Sequence, residues 1–160
     1  NGPEDMVAAV TFSPDSKLVV VGSWDGTARI YTATGEEQMN IGGHAGVSAV
    51  AFSNDGQVLI TAGDEGEIKT WLAQRGNSLA TLTGHEGGAI VAALSPDGKR
   101  LLTGSADHSV KLWNLASGRA VGSALWTAEG DTQWVRAVAV SGVAATVKAI
   151  RGFEPKAAVW

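Results

Sequence analysis

His85 and Asp107 stand with Thr103 between them in sequence, and together they offer an imidazole, a carboxylate and a hydroxyl. That set invites comparison with a nucleophile activated by a general base. The same spacing recurs around His44, however, and recurrence favours a structural pairing over a catalytic one. A buried imidazole and carboxylate are tolerable only when they are mutually hydrogen-bonded. No catalytic residue is therefore expected. The three histidines His44, His85 and His108 lack metal-ligand spacing, no carboxylate cluster accompanies them, and there is no cysteine, so no metal is expected. The glycine-rich run from Gly22 to Gly26 reads as a hairpin turn, because a phosphate loop needs a strand-to-helix context. No cofactor is expected. Glu36, Glu37, Glu65 and Glu67 read as solvated turn charges.

The elements that must position these groups repeat about every forty residues. Gly43-His44 returns as Gly84-His85, 41 positions later (85 − 44). Ser13-Pro14-Asp15-Ser16 returns as Ser53-Asn54-Asp55-Gly56 and as Ser95-Pro96-Asp97-Gly98. Tyr31, Trp71 and Trp113 fall 40 and 42 apart. A repeated unit of this length cannot bury its apolar face alone, so the chain reads as an array.

The third copy is the clearest. Ala89–Leu94 is a short apolar run, and Ser95–Gly98 is a tight turn in which Pro presets φ and Gly supplies positive φ. Arg100–Gly104 is a second strand. Ser109–Trp113 alternates, with Val110 and Leu112 on one face and Lys111 and Trp113 on the other. Arg119–Leu125 supplies a fourth strand. The template fits residues 7–42 and 43–83 as well as 84–125, and a degenerate copy runs over 126–160. In that copy Thr146–Ile150 and Ala157–Trp160 take the second- and third-strand places, and no outer strand follows. Bare strand edges are sticky, so the chain is expected to be part of a longer protein, marginal or self-associating by itself.

The bulk numbers agree with many short strands. The chain has 160 residues, 21 glycines, four prolines and six tryptophans against three phenylalanines and one tyrosine. Its formal charge is −4, with no run of Lys or Arg, which argues against nucleic acid or an anionic membrane as partner. The longest apolar stretches are far too short to span a bilayer. No signal sequence is visible, and a cytoplasmic location is the expectation.

These motifs resemble the WD-repeat β-propeller family. The resemblance rests on Gly-His, a first strand, Ser-Pro-Asp-Gly, Ser/Thr-Gly-Ser, an Asp turn and a strand ending in Trp. It is strong over 7–125 and weaker over 126–160. The signature Trp-Asp pair is replaced by Tyr31-Thr32, Trp71-Leu72 and Trp113-Asn114, and the literal Trp24-Asp25 sits in a turn instead. The resemblance implies an all-β fold of four-stranded antiparallel blades. About four are visible, the last incomplete, in a ring that closes with about seven. It implies a blade-holding network of His85, Thr103, Asp107 and Trp113, and of His44, Thr61, Glu65 and Trp71. The first blade keeps Asp25 but has Val21 and Tyr31 in the hydroxyl and Trp places, and neither it nor the fourth has the His. The third blade is then expected to be the most rigid.

The resemblance also implies function. The position before the turn acid, held by Trp24 and Phe153, lies on the rim that the family uses for partners, and exposed aromatics anchor interfaces. Trp126 and Trp134 flank residues 127–133, an insertion in place of Gly-His. The expected function is a non-enzymatic scaffold with a protein partner and no nucleic acid or membrane partner. The alternatives are the propeller portion of a kinase- or peptidase-linked enzyme, or a small-ligand or glycan binder using the rim tryptophans.

Overall fold

The structure, a computed structural model, describes residues 2–95, 97–115, 119–120, 126–127, 135–140 and 147–151. Every regular element among them is a strand. The first sheet is a meander of β1 (Val7–Phe12), β2 (Leu18–Ser23), β3 (Ala28–Thr32) and β4 (Glu37–Ile41), each strand antiparallel to the next. The second repeats it with β5 (Val47–Phe52), β6 (Val58–Gly63), β7 (Ile68–Leu72) and β8 (Ser78–Leu82). The third holds β9 (Ala89–Leu94), β10 (Arg100–Ser105) and β11 (Ser109–Asn114). Both β12 (Arg119–Ala120) and β13 (Trp126–Thr127) pair with β11, so this sheet extends past residue 125, where the sequence had set its boundary. A pair, β14 (Val135–Val140) and β15 (Val147–Arg151), follows. The third-strand place expected at 157–160 lies outside the described residues.

The β1–β2 type turns are closed by one device used three times. Ser13 Oγ donates to Asp15 Oδ1 at 2.6 Å, and the same carboxylate oxygen accepts from Lys17 N–H at 3.1 Å. Leu18 N–H then donates to Ser13 Oγ at 2.9 Å. Ser53–Asp55 and Ser95–Asp97 repeat the contact at 2.6 and 2.5 Å. These hydroxyl donors, and then the Lys17, Gln57 and Lys99 amides, hold the three carboxyls below their ordinary range. The turn needs a left-handed residue, supplied by Gly56 (φ 71°) and Gly98 (φ 68°) but by Ser16 (φ 59°) in the first copy.

The sheets stack face to face, with the first strands β1, β5 and β9 against one another. Two cores result. Val20, Ile30 and Ile41 of the first sheet meet Phe52, Leu59 and Trp71 of the second. Ile60, Ile68 and Leu82 of the second meet Leu101 and Trp113 of the third. Each tryptophan therefore faces the preceding sheet, which is why one bulky aromatic per repeat suffices to join neighbours.

Candidate functional site

The polar groups singled out from sequence converge in the third sheet. Thr103 lies mid-strand in β10, opposite Lys111 of β11, and is 0% exposed. Trp113 Nε1–H donates to Thr103 Oγ1 at 2.8 Å, and His85 Nε2 lies 2.7 Å from the same oxygen. His85 Nδ1 lies 3.0 Å from both Asp107 Oδ2 and Ser109 Oγ. Asp107 is saturated besides: its Oδ1 accepts from Ser109 N–H at 2.8 Å and Ser109 Oγ at 2.6 Å, and its Oδ2 accepts from Glu86 N–H at 2.9 Å.

These contacts fix the protons. The Asp107 carboxylate only accepts, which puts the hydrogen of a neutral His85 on Nδ1 and leaves Nε2 to accept from the Thr103 hydroxyl, whose oxygen accepts from Trp113 Nε1–H. Burial lowers the imidazole's affinity for a second proton, outweighing the opposing pull of Asp107, so His85 is neutral. Burial would raise the Asp107 pKa, but the hydrogen bonds from Ser109, the Glu86 amide and His85 hold it far below the ordinary carboxylate range.

The order hydroxyl–imidazole–carboxylate is that of a catalytic triad. Its surroundings oppose that chemistry. The oxygen that would attack has a lone pair committed to an indole N–H, and no solvent reaches it. A nucleophile must meet its substrate within hydrogen-bond reach.

The second sheet repeats the chain with one change. His44 Nε2 and Trp71 Nε1 meet Thr61 Oγ1 at 2.7 and 2.8 Å. The acid at His44 Nδ1 is Glu67, at 2.9 Å, whereas the sequence reading had put Glu65 there; Glu65 is exposed. The reason is local. Glu67 occupies the place of Ser109, whose hydroxyl also touches the histidine, and its longer side chain delivers a carboxylate to that point. Gly63 makes the room: a Cβ there would lie 2.5 Å from His44 Nδ1 and 3.0 Å from Glu67 Oε1. Glu67 is thus no solvated turn charge. Lys69 Nζ lies 3.7 Å from it and also donates to the Gly43 carbonyl. Burial, then Lys69, lowers the His44 pKa.

The first sheet keeps only the carboxylate end. Asp25 Oδ1 accepts from Thr27 N–H and Oγ1 at 2.9 and 2.6 Å, and Oδ2 accepts from Glu4 N–H at 2.8 Å. Pro3 stands where the histidine would be. Arg29, in the place of Lys69 and Lys111, lies 3.8 Å from Asp25 and 3.6 Å from Glu37. With Val21 in the hydroxyl place, the buried Tyr31 hydroxyl finds no hydrogen-bond partner among the described residues. Sequence reading missed Ser109, Glu67 and Arg29. All three fall in or beside the strand that follows the acidic turn, but their alignment gives them no role until side-chain reach is known.

The rim residues separate. Trp24 is 53% exposed beside Met6, whose carbonyl accepts from Trp24 N–H at 3.0 Å. Trp126 belongs to β13, with its backbone paired to Val110. Trp134 and Phe153 lie outside the described residues. Among the described residues no group of three His, Cys, Asp or Glu could hold a metal ion.

Comparisons with known proteins agree with this architecture. A family model, WD domain, G-beta repeat, matches residues 1–32, 35–71 and 76–114. Topless-related protein 4 of Arabidopsis thaliana is 39% identical over 87 residues, covering 50% of this chain and 8% of that protein. mRNA export factor rae-1 of Caenorhabditis elegans is 33% identical over 95 residues, covering 53% of this chain and 24% of that one. The chain therefore spans a minor part of the length of these relatives. The RRP9 WD40 repeats superpose with a TM-score of 0.83 at 24% identity over 100% of this chain and 52% of that one, a likeness of fold. Three consecutive copies of the repeat are matched over well over half of the 160 residues, each ending within one residue of the end of the third strand of its sheet, and the chain belongs to the WD domain, G-beta repeat family.

Proposed function

We propose that this chain is a non-enzymatic scaffold segment whose rim engages a protein partner. The observation that carries the reading is Trp24. It is a large aromatic held half in water on a turn that Asp25 clamps by three hydrogen bonds. An ordered, solvent-facing tryptophan contributes contact area at little cost in conformational entropy. The groups that could have done chemistry are consumed inside the blades. One relative is named for mRNA export, and the −4 charge without a Lys or Arg run favours a protein surface over RNA as the contact.

The test is affinity purification with wild-type and Trp24→Ser chains, matched for thermal stability and compared by quantitative mass spectrometry. A set of proteins lost with Trp24→Ser supports the reading. Proteins retained equally by both chains contradict it. Quenching of tryptophan fluorescence by a sugar or small metabolite would replace it with the ligand-binding alternative.

A further inference from the structure

Along the rim, turns and loops of successive sheets alternate in one continuous edge. The turn that carries Trp24 packs on the loop of His44: a Cβ at Gly26 would lie 2.3 Å from the His44 carbonyl oxygen. Farther along that loop, the Gly46 carbonyl accepts from Asp64 N–H at 3.1 Å. The turn of Asp64 meets the loop before β9 in its turn, where a Cβ at Gly88 would lie 2.8 Å from the Asp64 carbonyl oxygen. Trp24 and Asp64 hold the same place in their repeats, directly after Ser23 and Gly63 at the ends of β2 and β6. The second sheet has a neighbour on either side, and Asp64 is exposed there. The place therefore faces water inside the array, with both adjoining sheets present.

The exposed side chains next along this edge are acidic. Glu65 shares the turn of Asp64, Glu86 stands on the loop which that turn meets, and all three are exposed. Among the described residues none of the three carboxylates forms an ion pair. The cations of the adjoining strands are tied down. Arg29 is held by Asp25 and Glu37, Lys69 by Glu67 and the Gly43 carbonyl, and Lys111 by the Gly84 carbonyl. Open negative charge thus lies one sheet away from an open indole. A field of one sign selects a partner of the other, and the face of a tryptophan ring attracts a cation more strongly than that of any other side chain.

Building on Trp24 as the partner-binding residue of the function proposed above, we infer that this rim takes an extended cationic peptide segment, with one Lys or Arg stacked on Trp24 and a second set against Asp64, Glu65 and Glu86. The sheets set the spacing. Stacked sheets lie about 10 Å apart and an extended chain rises about 3.3 Å per residue, so the two cations fall about three residues apart in the partner.

The probe is a short acetylated peptide with two arginines separated by two alanines, labelled with fluorescein and followed by fluorescence polarisation. The purified chain should bind it, more weakly as salt rises, and should not bind the same peptide with glutamates in place of the arginines. The double variant Glu65→Lys/Glu86→Lys, made at exposed side chains, should weaken binding about tenfold. Trp24→Leu keeps an apolar side chain, removes the ring and should weaken binding several-fold. Failure of the wild-type chain to bind the arginine peptide overturns the inference, and so does equal binding by the double variant at matched thermal stability. In the affinity purification, proteins lost with Trp24→Ser but kept by Glu65→Lys/Glu86→Lys would overturn the cationic partner while leaving Trp24 as the contact. Proteins kept by Trp24→Ser would remove the contact itself.

Discussion

Thr103 is the residue on which the third blade's polar chain turns, because one hydroxyl serves both Trp113 and His85. Thr103→Val keeps the shape and removes both partners at once. A stranded buried donor costs about 1–3 kcal/mol, so this variant should lose roughly 2–4 kcal/mol in urea unfolding, more than Asp107→Ala at about 1–3 kcal/mol. Equal losses would mean that the hydroxyl is not the hub. The same residues set a pH dependence. His85 and His44 have pKa values lowered below 6.5 in the folded chain, mainly by burial. The unfolded chain then binds more protons below pH 6.5, and stability falls as pH drops through that value. Asp107, lowered from 3.8, adds a second loss below that pH. The urea midpoint should be flat from pH 8 to 7 and decline toward pH 5. A midpoint that rises on acidification would contradict the neutral assignment.

Among the described residues, Ser16 and His108 are the two non-glycine residues with positive φ, at 59° and 68°. Each stands where the other copies place glycine: Gly56 and Gly98 for the first, Gly26 and Gly66 for the second. A side chain in the left-handed region costs about 1 kcal/mol, so Ser16→Gly should raise the unfolding free energy by roughly 0.5–1 kcal/mol. A lowered thermal midpoint would show that the Ser16 side chain makes a compensating contact. The strands themselves were legible in the sequence. The apolar runs around the Ser95–Gly98 turn mark β9, β10 and β11 to within a residue, because turn chemistry and alternation are both local. The choice of Glu67 over Glu65 was not legible from the family pattern. It depends on the reach of a side chain and on the space left by Gly63, a three-dimensional fact. The Asp25–Arg29–Glu37 cluster was hidden for a similar reason, since the expected pattern had no place for an arginine.

Across the molecule, the second and third sheets are each joined to the preceding one through one tryptophan and one histidine-bearing loop. Gly66 shows how closely that loop docks: a Cβ there would lie 2.7 Å from the His85 carbonyl oxygen of the next repeat, at φ 85°. Repeat stability is largely a sum over neighbours, so Gly66→Ala should loosen the second and third blades together, by about 1–3 kcal/mol. Hydrogen exchange confined to one blade would deny that coupling. The hydroxyl–imidazole–carboxylate set is a closed staple inside the blade. Nitrogen-15 chemical shifts of the histidine rings test it most directly. His44 and His85 should be neutral at pH 7, carry hydrogen on Nδ1, and not titrate near 6.5 while the chain stays folded. A His85 ring that titrates at its ordinary value, with a hydrogen on Nε2 exchanging freely with solvent, would show an open, reactive site and contradict the account.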